Sequence, residues 1–134
     1  MEKKYILTDD VIDFNSHTLH RIKAVRDFDC VKAGDLGGFI ESEKNLDHDG
    51  DAWLTGDAWV YEPSDIALIK GFGSEFRATS FFRCVDGLVR CRCGCFYGTV
   101  DEFRSKVHKT HGNSKYAKEY LMIADLMELH FKED

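Results

Sequence analysis

The feature that most constrains the fold of this chain is a tetrapeptide that occurs twice, six residues apart. Residues 50–53 and residues 56–59 both read Gly-Asp-Ala-Trp, and an apolar residue follows each copy. A six-residue period with a small and a large apolar residue at fixed offsets is typical of a hexapeptide β-helix. Two hexads are too few for a free-standing solenoid. The repeat therefore predicts either a short β-helix-like coil or a β-hairpin whose strands match by coincidence.

Short β-strands are predicted on both sides of this repeat. Before it, apolar and polar residues form strand patterns at residues 4–8 and 18–26. After it, an antiparallel meander is predicted at residues 65–70, 79–84 and 88–96. Asp86 and Gly87 supply a hairpin turn signal within the meander.

The last third of the chain carries two helix patterns. Thr99 and Glu102 form a capping box, in which each side chain can bond the backbone amide of the other residue. The first helix is expected to end at Gly112, because glycine readily adopts the left-handed C-cap conformation. Asn113 or Ser114 is expected to cap the second helix.

The second helix runs to about Phe131, and its apolar residues cover more than one face. A surface helix normally has a single apolar stripe. We therefore expect this helix to pack both on its own sheet and on a partner chain, with Leu121 and Met127 at the contact between chains. This pattern predicts a homo-oligomer.

Together these patterns predict a single α+β domain over residues 1–134. Residues 1–62 form a β-rich N-terminal part with the short hexapeptide β-helix-like coil. Residues 63–134 form the antiparallel β-meander and a C-terminal two-helix hairpin. This length is enough for one domain with its own hydrophobic core.

Charge and cysteine content limit the function and the compartment. The formal net charge is -6, whereas proteins that coat nucleic acid carry a basic face, so polymeric nucleic acid is not expected as a partner. The N-terminus has no signal-peptide pattern and no segment is apolar for long enough to cross a membrane. The host-cell cytoplasm is therefore the expected location. The five cysteines are expected to be free thiols, since their odd number and clustering do not suit a disulfide framework.

Three of the cysteines alternate at Cys91, Cys93 and Cys95. In an extended strand these positions share one face, and free cysteine packs as a small apolar residue. Buried core cysteines are therefore the favoured interpretation. A zinc site with His108 and His111 is the alternative, although structural zinc sites usually have two residues between paired cysteines. We expect no bound metal and no cofactor.

Positive charge is concentrated beside aromatic residues in the second half of the chain. The meander contains Phe81 and Phe82, with arginines in or beside it at Arg77, Arg83, Arg90 and Arg92. The first helix adds Arg104, Lys106 and Lys109. Arginine suits bidentate contacts with phosphate, and an aromatic face suits a stacked base. From composition alone, a solvated sheet face over two core phenylalanines is the favoured interpretation, and a site for a small nucleotide-like anion is the alternative. No motif sets a nucleophile beside a base, so no catalytic activity is expected.

The segment from residue 71 to residue 131 contains the runs GFGSEFRATSFF, CGCFYGTVDEF and THGNSKYAKEY. With these runs the chain resembles the phage anti-Thoeris family, first type. The N-terminal runs KYILTDD and GDLGGFIESEKNL, with the GDAW hexads, resemble short β-helix-like modules of phage proteins. The resemblance implies a non-enzymatic sponge that sequesters a cyclic ADP-ribose isomer between two protomers of a dimer or hexamer. It also implies a separate three-fold site for cyclic oligonucleotides.

Together with the charge pattern, the resemblance implies a set of ligand-binding residues. Phe82 would stack on a base, and phosphates would be contacted by Arg92, Lys109 and Arg26. Further ligand-binding candidates are Arg77 and Arg104. Arg92 stands where a smaller polar residue is expected, and Lys109 where an arginine would bind more strongly. Two other functions remain open: a phage structural or assembly module, which the hexads suggest, and a zinc-dependent enzyme or adaptor, which the cysteines suggest.

Overall fold

The computed structural model describes residues 3–72, 78–93 and 95–132. The fold is α+β, with an eight-stranded sheet followed by two helices. The strands are β1 (Tyr5–Phe14), β2 (His17–Ala24), β3 (Leu36–Ile40), β4 (Ala58–Val60), β5 (Ile66–Ile69), β6 (Thr79–Cys84), β7 (Val89–Cys93) and β8 (Phe96–Thr99). The helices are α1 (Val100–His111) and α2 (Lys115–Phe131), and short 3-10 helices lie at Glu43–Asn45 and Pro63–Asp65.

Strand order in the sheet largely follows chain order: β1-β2-β3-β4-β6-β7-β8, with β5 beside β6. Only β3 and β4 pair in parallel. β1 and β2 form a hairpin through Asn15 and Ser16, which both have positive φ (51° and 68°), as a two-residue type I′ turn requires. The predicted antiparallel meander is confirmed, with the returning segment divided between β7 and β8.

β5 lies in line with β4, because both run antiparallel to β6. β4 pairs with Arg83 and Cys84 of β6, and β5 pairs with the preceding residues from Phe82 back to Thr79. The 3-10 helix Pro63–Asp65 interrupts this row. β3 runs beside β4 but not beside β5. Within the part of the chain that the structure describes, β5 therefore pairs on one side only.

The two tetrapeptide copies do not stack on one another. The second copy belongs to β4 and pairs in parallel with β3, where Trp59 lies opposite Phe39. The first copy leads into Leu54, whose carbonyl oxygen accepts a hydrogen bond from the Gly38 amide of β3 at 3.0 Å. As a result Trp53 and Trp59 enter different apolar clusters. The coil is limited to the single parallel pair of β3 and β4.

Glycine at position 37 allows the first copy to approach β3 closely. A Cβ atom added there would lie 2.7 Å from the Leu54 carbonyl oxygen and 2.7 Å from the Trp53 ring. Contacts this short are not tolerated, so a side chain at this position would push the two segments apart. The close approach brings Trp53 into the core.

Apolar side chains cover both faces of the sheet. Phe81 and Phe82 point to opposite faces, because successive strand side chains alternate. Phe82 joins the N-terminal core, which includes Tyr5, Ile22, Ile40, Trp53 and Leu54. Phe81 joins the helix-side core, which includes Cys91, Phe103, Val107, Ile123 and Met127. The two helices thus cover one face of the C-terminal strands, and the N-terminal segments cover the other.

The helix boundaries agree with the sequence prediction. The side chains of Thr99 and Glu102 each accept a hydrogen bond from the backbone amide of the other residue. Gly112 ends α1 with a φ of 57°, and Ser114 caps α2. None of the described helices is long and apolar enough to cross a membrane.

α2 carries an exposed apolar stripe formed by Met122, Leu126 and Leu129. Their side chains are 72%, 53% and 70% exposed, and their spacing brings them to one helix face. Met127 instead lies in the helix-side core, and half-buried Leu121 packs against the same core. Met127 is therefore enclosed by its own chain, and its predicted place at a contact between chains was wrong, whereas a contact at Leu121 stays a prediction. The most exposed large apolar side chains of α2 are those of the stripe.

A disulfide joins Cys30 to Cys95, with the two Cα atoms 5.5 Å apart. The prediction of five free thiols was therefore wrong. Cys95 does not share the buried face of Cys91 and Cys93, because the strand ends before it and its side chain is exposed. Cys91 is a buried free thiol, as predicted. Cys84 is also a buried free thiol, and Cys93 is a half-buried one. Disulfides are rare in cytosolic proteins, so this bond is the structural feature least expected for the predicted compartment.

Lys4 is fully buried, and its side chain binds the backbone at residues 50–52, where the acidic loop ends. Its ammonium group donates to the carbonyl oxygen of Ala52 at 2.6 Å and to that of Gly50 at 3.4 Å. Burial lowers the pKa of Lys4 from 10.5 to about 8, although Asp51 and neighbouring carboxylates oppose the change.

The free energy of unfolding should depend on pH through Lys4. Between pH 8 and about 10 the folded chain releases this proton while the unfolded chain keeps it, so the lysine contributes increasing stability as pH rises. Lys4→Met removes that contribution. Urea unfolding of both proteins across this range measures it, and a stability difference between them that stays constant with pH would contradict the assignment.

Candidate ligand-binding site

The sheet face opposite the helices brings a cation and an aromatic ring together on neighbouring strands. Arg92 of β7 pairs directly with Tyr97 of β8. Cys91 faces the helix-side core, so its neighbour Arg92 projects from the other face, and directly opposed residues share a face. The pair is therefore on the side covered in part by the N-terminal segments.

Tyr97 packs beside Phe82 and Gly56 on this face. Its ring is nearly parallel to that of Phe82, with an interplanar angle of 15° and centroids 6.3 Å apart. Its hydroxyl reaches Gly56, where an added Cβ would lie 2.7 Å from the oxygen. Burial raises the pKa of this hydroxyl. Tyr97 is 39% exposed, so part of its side chain meets solvent.

Arg92 is half-buried, and its guanidinium has no hydrogen-bond or ion-pair partner among the described residues. Burial lowers the pKa of Arg92, and the charges of Asp29 and Asp35 oppose that change. Both aspartates belong to the loop that contains Cys30, and the disulfide ties this loop to the end of β7. The guanidinium is thus partly desolvated and retains unused donors, as an anion-binding arginine requires.

Arg90 lies on the same face but is already engaged. Its guanidinium donates to the Asp86 carboxylate at 3.0 Å and makes an ion pair with it at 2.8 Å. Hydrogen bonds with Asp86 and Cys84 raise the pKa of Arg90. Burial raises the pKa of the Cys84 thiol, which therefore stays protonated near neutral pH. The donors of Arg90 are therefore used within the chain, whereas those of Arg92 have no partner among the described residues.

Two of the sequence-predicted ligand residues are unavailable to a ligand in this chain. Phe82 is fully buried in the N-terminal core, so it presents no ring face to a base. Arg104 is bonded to three carboxylates, those of Asp101, Asp125 and Glu128. These bonds raise the pKa of Arg104 and neutralise its charge. We correct the assignment of both residues on these grounds.

The other predicted residues lie apart from one another. Lys109 is exposed near the end of α1, on the helix side of the sheet. Arg26 is half-buried and donates from Nη2 to the His48 carbonyl at 3.2 Å, while its buried Nε has no hydrogen-bond partner among the residues that the structure describes. Arg77 lies outside the described residues. A single chain therefore brings Arg92 and Tyr97 together, and does not bring Lys109 to the same face as Arg92.

The cysteine cluster offers no evident metal centre in the described part of the chain. Cys91 is enclosed in the helix-side core, and burial holds its thiol pKa well above the usual range. Cys93 accepts a hydrogen bond from the Thr79 hydroxyl at 3.2 Å. Across residues 3–72, 78–93 and 95–132, no group of three or more His, Cys, Asp or Glu side chains is arranged to hold a metal ion.

Comparison of the chain with protein-family models, with curated proteins and with solved structures gave no match.

Sequence reasoning did not single out Tyr97. In the structure Cys93 pairs with Phe96, and in the same register Arg92 pairs with Tyr97. The strand predicted over residues 88–96 ran past the end of β7 and stopped before Tyr97. Tyr97 was therefore not expected on a neighbouring strand beside Arg92. The resemblance then directed attention to Phe82 instead.

Proposed function

We propose that the protein is a non-enzymatic sponge that binds a small cyclic nucleotide and so acts as a phage anti-defence protein. The ligand class is a cyclic ADP-ribose isomer, with cyclic oligonucleotides as a further class. The observation that carries the proposal is the pairing of Arg92, with its free donors, and the exposed ring of Tyr97. A stacked base and a phosphate on the same small ligand match this pair.

The proposed site is shared between protomers. A cyclic dinucleotide-like ligand carries two phosphates, and Arg92 supplies one available cation on its face. Lys109 lies on the other side of the sheet, so it can reach the same ligand only from a second chain. Because such a ligand is rigid, binding costs little conformational entropy and affinity can be high.

Substitution of Tyr97 or Arg92 should weaken binding without unfolding the protein. Loss of a stacking ring costs about 1–3 kcal/mol, and loss of a charged donor costs about 1.5–3 kcal/mol. Tyr97→Ala and Arg92→Gln are therefore each expected to lower affinity about tenfold or more. The measurement is calorimetry with cyclic ADP-ribose isomers and with cyclic di- and trinucleotides.

Two matched variants serve as controls for this experiment. Tyr116 of α2 is 38% exposed, almost the same as Tyr97, and Tyr116→Ala should leave affinity unchanged. Arg104→Gln should also leave it unchanged, because carboxylates already neutralise Arg104. Equal losses in the controls would place the ligand elsewhere, and no binding of any of these nucleotides by the unmodified protein would refute the sponge.

Recovery of the ligand separates a sponge from an enzyme. The protein is incubated with the bound nucleotide, denatured, and the released small molecule is examined by chromatography. A sponge returns the nucleotide intact and in full. Progressive conversion of the nucleotide would show that the protein is a catalyst.

An assembly module is the second candidate function, and the exposed stripe on α2 favours it. A row of three large apolar side chains exposed at 53% or more is costly on a monomer's surface. Such a row can form a contact between subunits of a phage assembly whether or not a nucleotide binds. The same stripe serves the sponge by joining protomers, so the calorimetry above decides between the two functions.

Charge introduced into the stripe should lower the oligomeric state. Burying a leucine side chain contributes about 1.5–3 kcal/mol, and a contact between two copies counts each leucine twice. Leu126→Glu and Leu129→Glu are thus expected to give monomers by light scattering. Leu36→Glu, at a leucine 58% exposed on β3, is the control and should not change the mass. A monomeric unmodified protein would contradict the assembly role of α2.

A further inference from the structure

Among the described residues, no strand pairs with the edge of β5 opposite β6, and a cleft lies beside β5. β5 continues the row of β4, but β3, the neighbour of β4, does not extend alongside it. Across this gap lies the segment from Lys44 to Asp47. A strand edge with unpaired amides and carbonyls is a template for the addition of another strand.

The cleft has the size and lining needed for an apolar side chain. Its volume is about 290 Å³. Its apolar wall is formed by Leu46, Ala52, Val60, Pro63, Ile66 and Leu68. Leu46, Ala52 and Val60 also belong to the N-terminal core, which makes the floor rigid. Leu68 is 51% exposed, so part of this apolar surface meets solvent.

The surroundings of the cleft are acidic. Asp47 and Glu62 line it, and Asp49 and Asp51 follow in the same loop. Lys44 is the one cation among the lining residues. Outside the lining, Lys4 is buried and donates to backbone carbonyl oxygens, and Lys3 is ion-paired with Glu43. A partner here is therefore favoured if it carries positive charge.

We propose that the β5 edge is a docking site for an extended, basic peptide segment of a partner protein. The segment adds a strand beside β5, seats one apolar side chain in the cleft, and directs lysine or arginine side chains to Asp47 and Glu62. This site is separate from the Arg92–Tyr97 pair and does not depend on the nucleotide.

The test uses two synthetic hexapeptides with blocked ends. One alternates lysine and valine, and the other alternates glutamate and valine. Backbone amide NMR of the full chain should show shifts over residues 66–69 and at Leu46 and Ala52 with the lysine peptide. The glutamate peptide should bind at least about tenfold more weakly, which corresponds to 1.4 kcal/mol.

Two arginine variants test the location of the site. Leu68→Arg brings positive charge into the cleft and should abolish the shifts. Leu88→Arg is the matched control, because Leu88 is 50% exposed in the turn between β6 and β7, and it should bind the lysine peptide normally. The amide spectrum of each variant also confirms that it is folded.

The proposal fails on any of four results. Shifts confined to another edge such as β1, equal binding of both peptides, or no shifts up to the solubility limit of the lysine peptide would each overturn it. A change in mass by light scattering for Leu68→Arg without peptide would also overturn it. That result would assign the edge to a second copy of this chain.

Discussion

Reduction of the Cys30–Cys95 disulfide should destabilise the protein by about 4 kcal/mol. The bond joins residues 65 positions apart, and in the chain-entropy model a loop of that length restricts the unfolded state by about this amount. For a domain of this size the loss lowers the melting temperature by roughly 10–20 °C. Cys30→Ser should reproduce the effect, measured by thermal unfolding with and without a dithiol reductant.

The variant also supplies the control. A reductant should destabilise the unmodified protein and leave Cys30→Ser unaffected, since the remaining described cysteines are free thiols. Equal responses of both proteins to the reductant would show that the bond does not form in solution. The free-thiol prediction made from the sequence would then stand.

Asp65→Ala should cost about 3–5 kcal/mol. The Asp65 carboxylate is nearly buried and accepts hydrogen bonds from the amides of Tyr61 and Glu62 at 3.2 and 2.9 Å. It also pairs with Arg83 at 3.3 Å, and Arg83 in turn donates to the Phe131 carbonyl at the end of α2. Removing the carboxylate leaves the half-buried guanidinium of Arg83 with one fewer counter-charge. A buried charge that is incompletely balanced is the usual cause of losses this large.

Two comparisons isolate the charge from the hydrogen bonds. Asp65→Asn keeps an acceptor for the two amides, so its loss should be smaller than that of Asp65→Ala. Asp86→Ala breaks the pair with Arg90 at an exposed turn, where such pairs contribute under about 1 kcal/mol. Urea unfolding measures all three variants. A loss for Asp65→Ala no greater than that for Asp86→Ala would contradict the structural role of the buried pair.

Features set by short-range chemistry were predicted well from the sequence. The capping box of Thr99 and Glu102, the glycine that ends α1 and the serine that caps α2 each depend on residues within one helical turn. The turn at Asp86 and Gly87 is equally local, and it fixed the register between β6 and β7. These signals were sufficient to predict the α+β class and the helical hairpin.

Features set by long-range packing were not predicted. Phe81 and Phe82 are adjacent and chemically identical, and only the layers above and below the sheet decide that both are buried in different cores. The two tryptophans of the repeat likewise separate, because the second copy pairs with β3 in the sheet and the first copy leads into the segment that bonds Gly38. The partner of Cys30 lies 65 residues away, and no local pattern identifies it.

The order of the strands has a consequence for how the chain folds during synthesis. Since β1, β2, β3 and β4 are neighbours in chain order, each can pair as it leaves the ribosome with a strand already made. β4 and β5 must then wait for β6, which is the common partner of both. Until residue 84 has emerged, the growing sheet therefore ends in two short strands awaiting the same partner. Synthesis of β6 is the step that joins the two halves of the protein into one sheet.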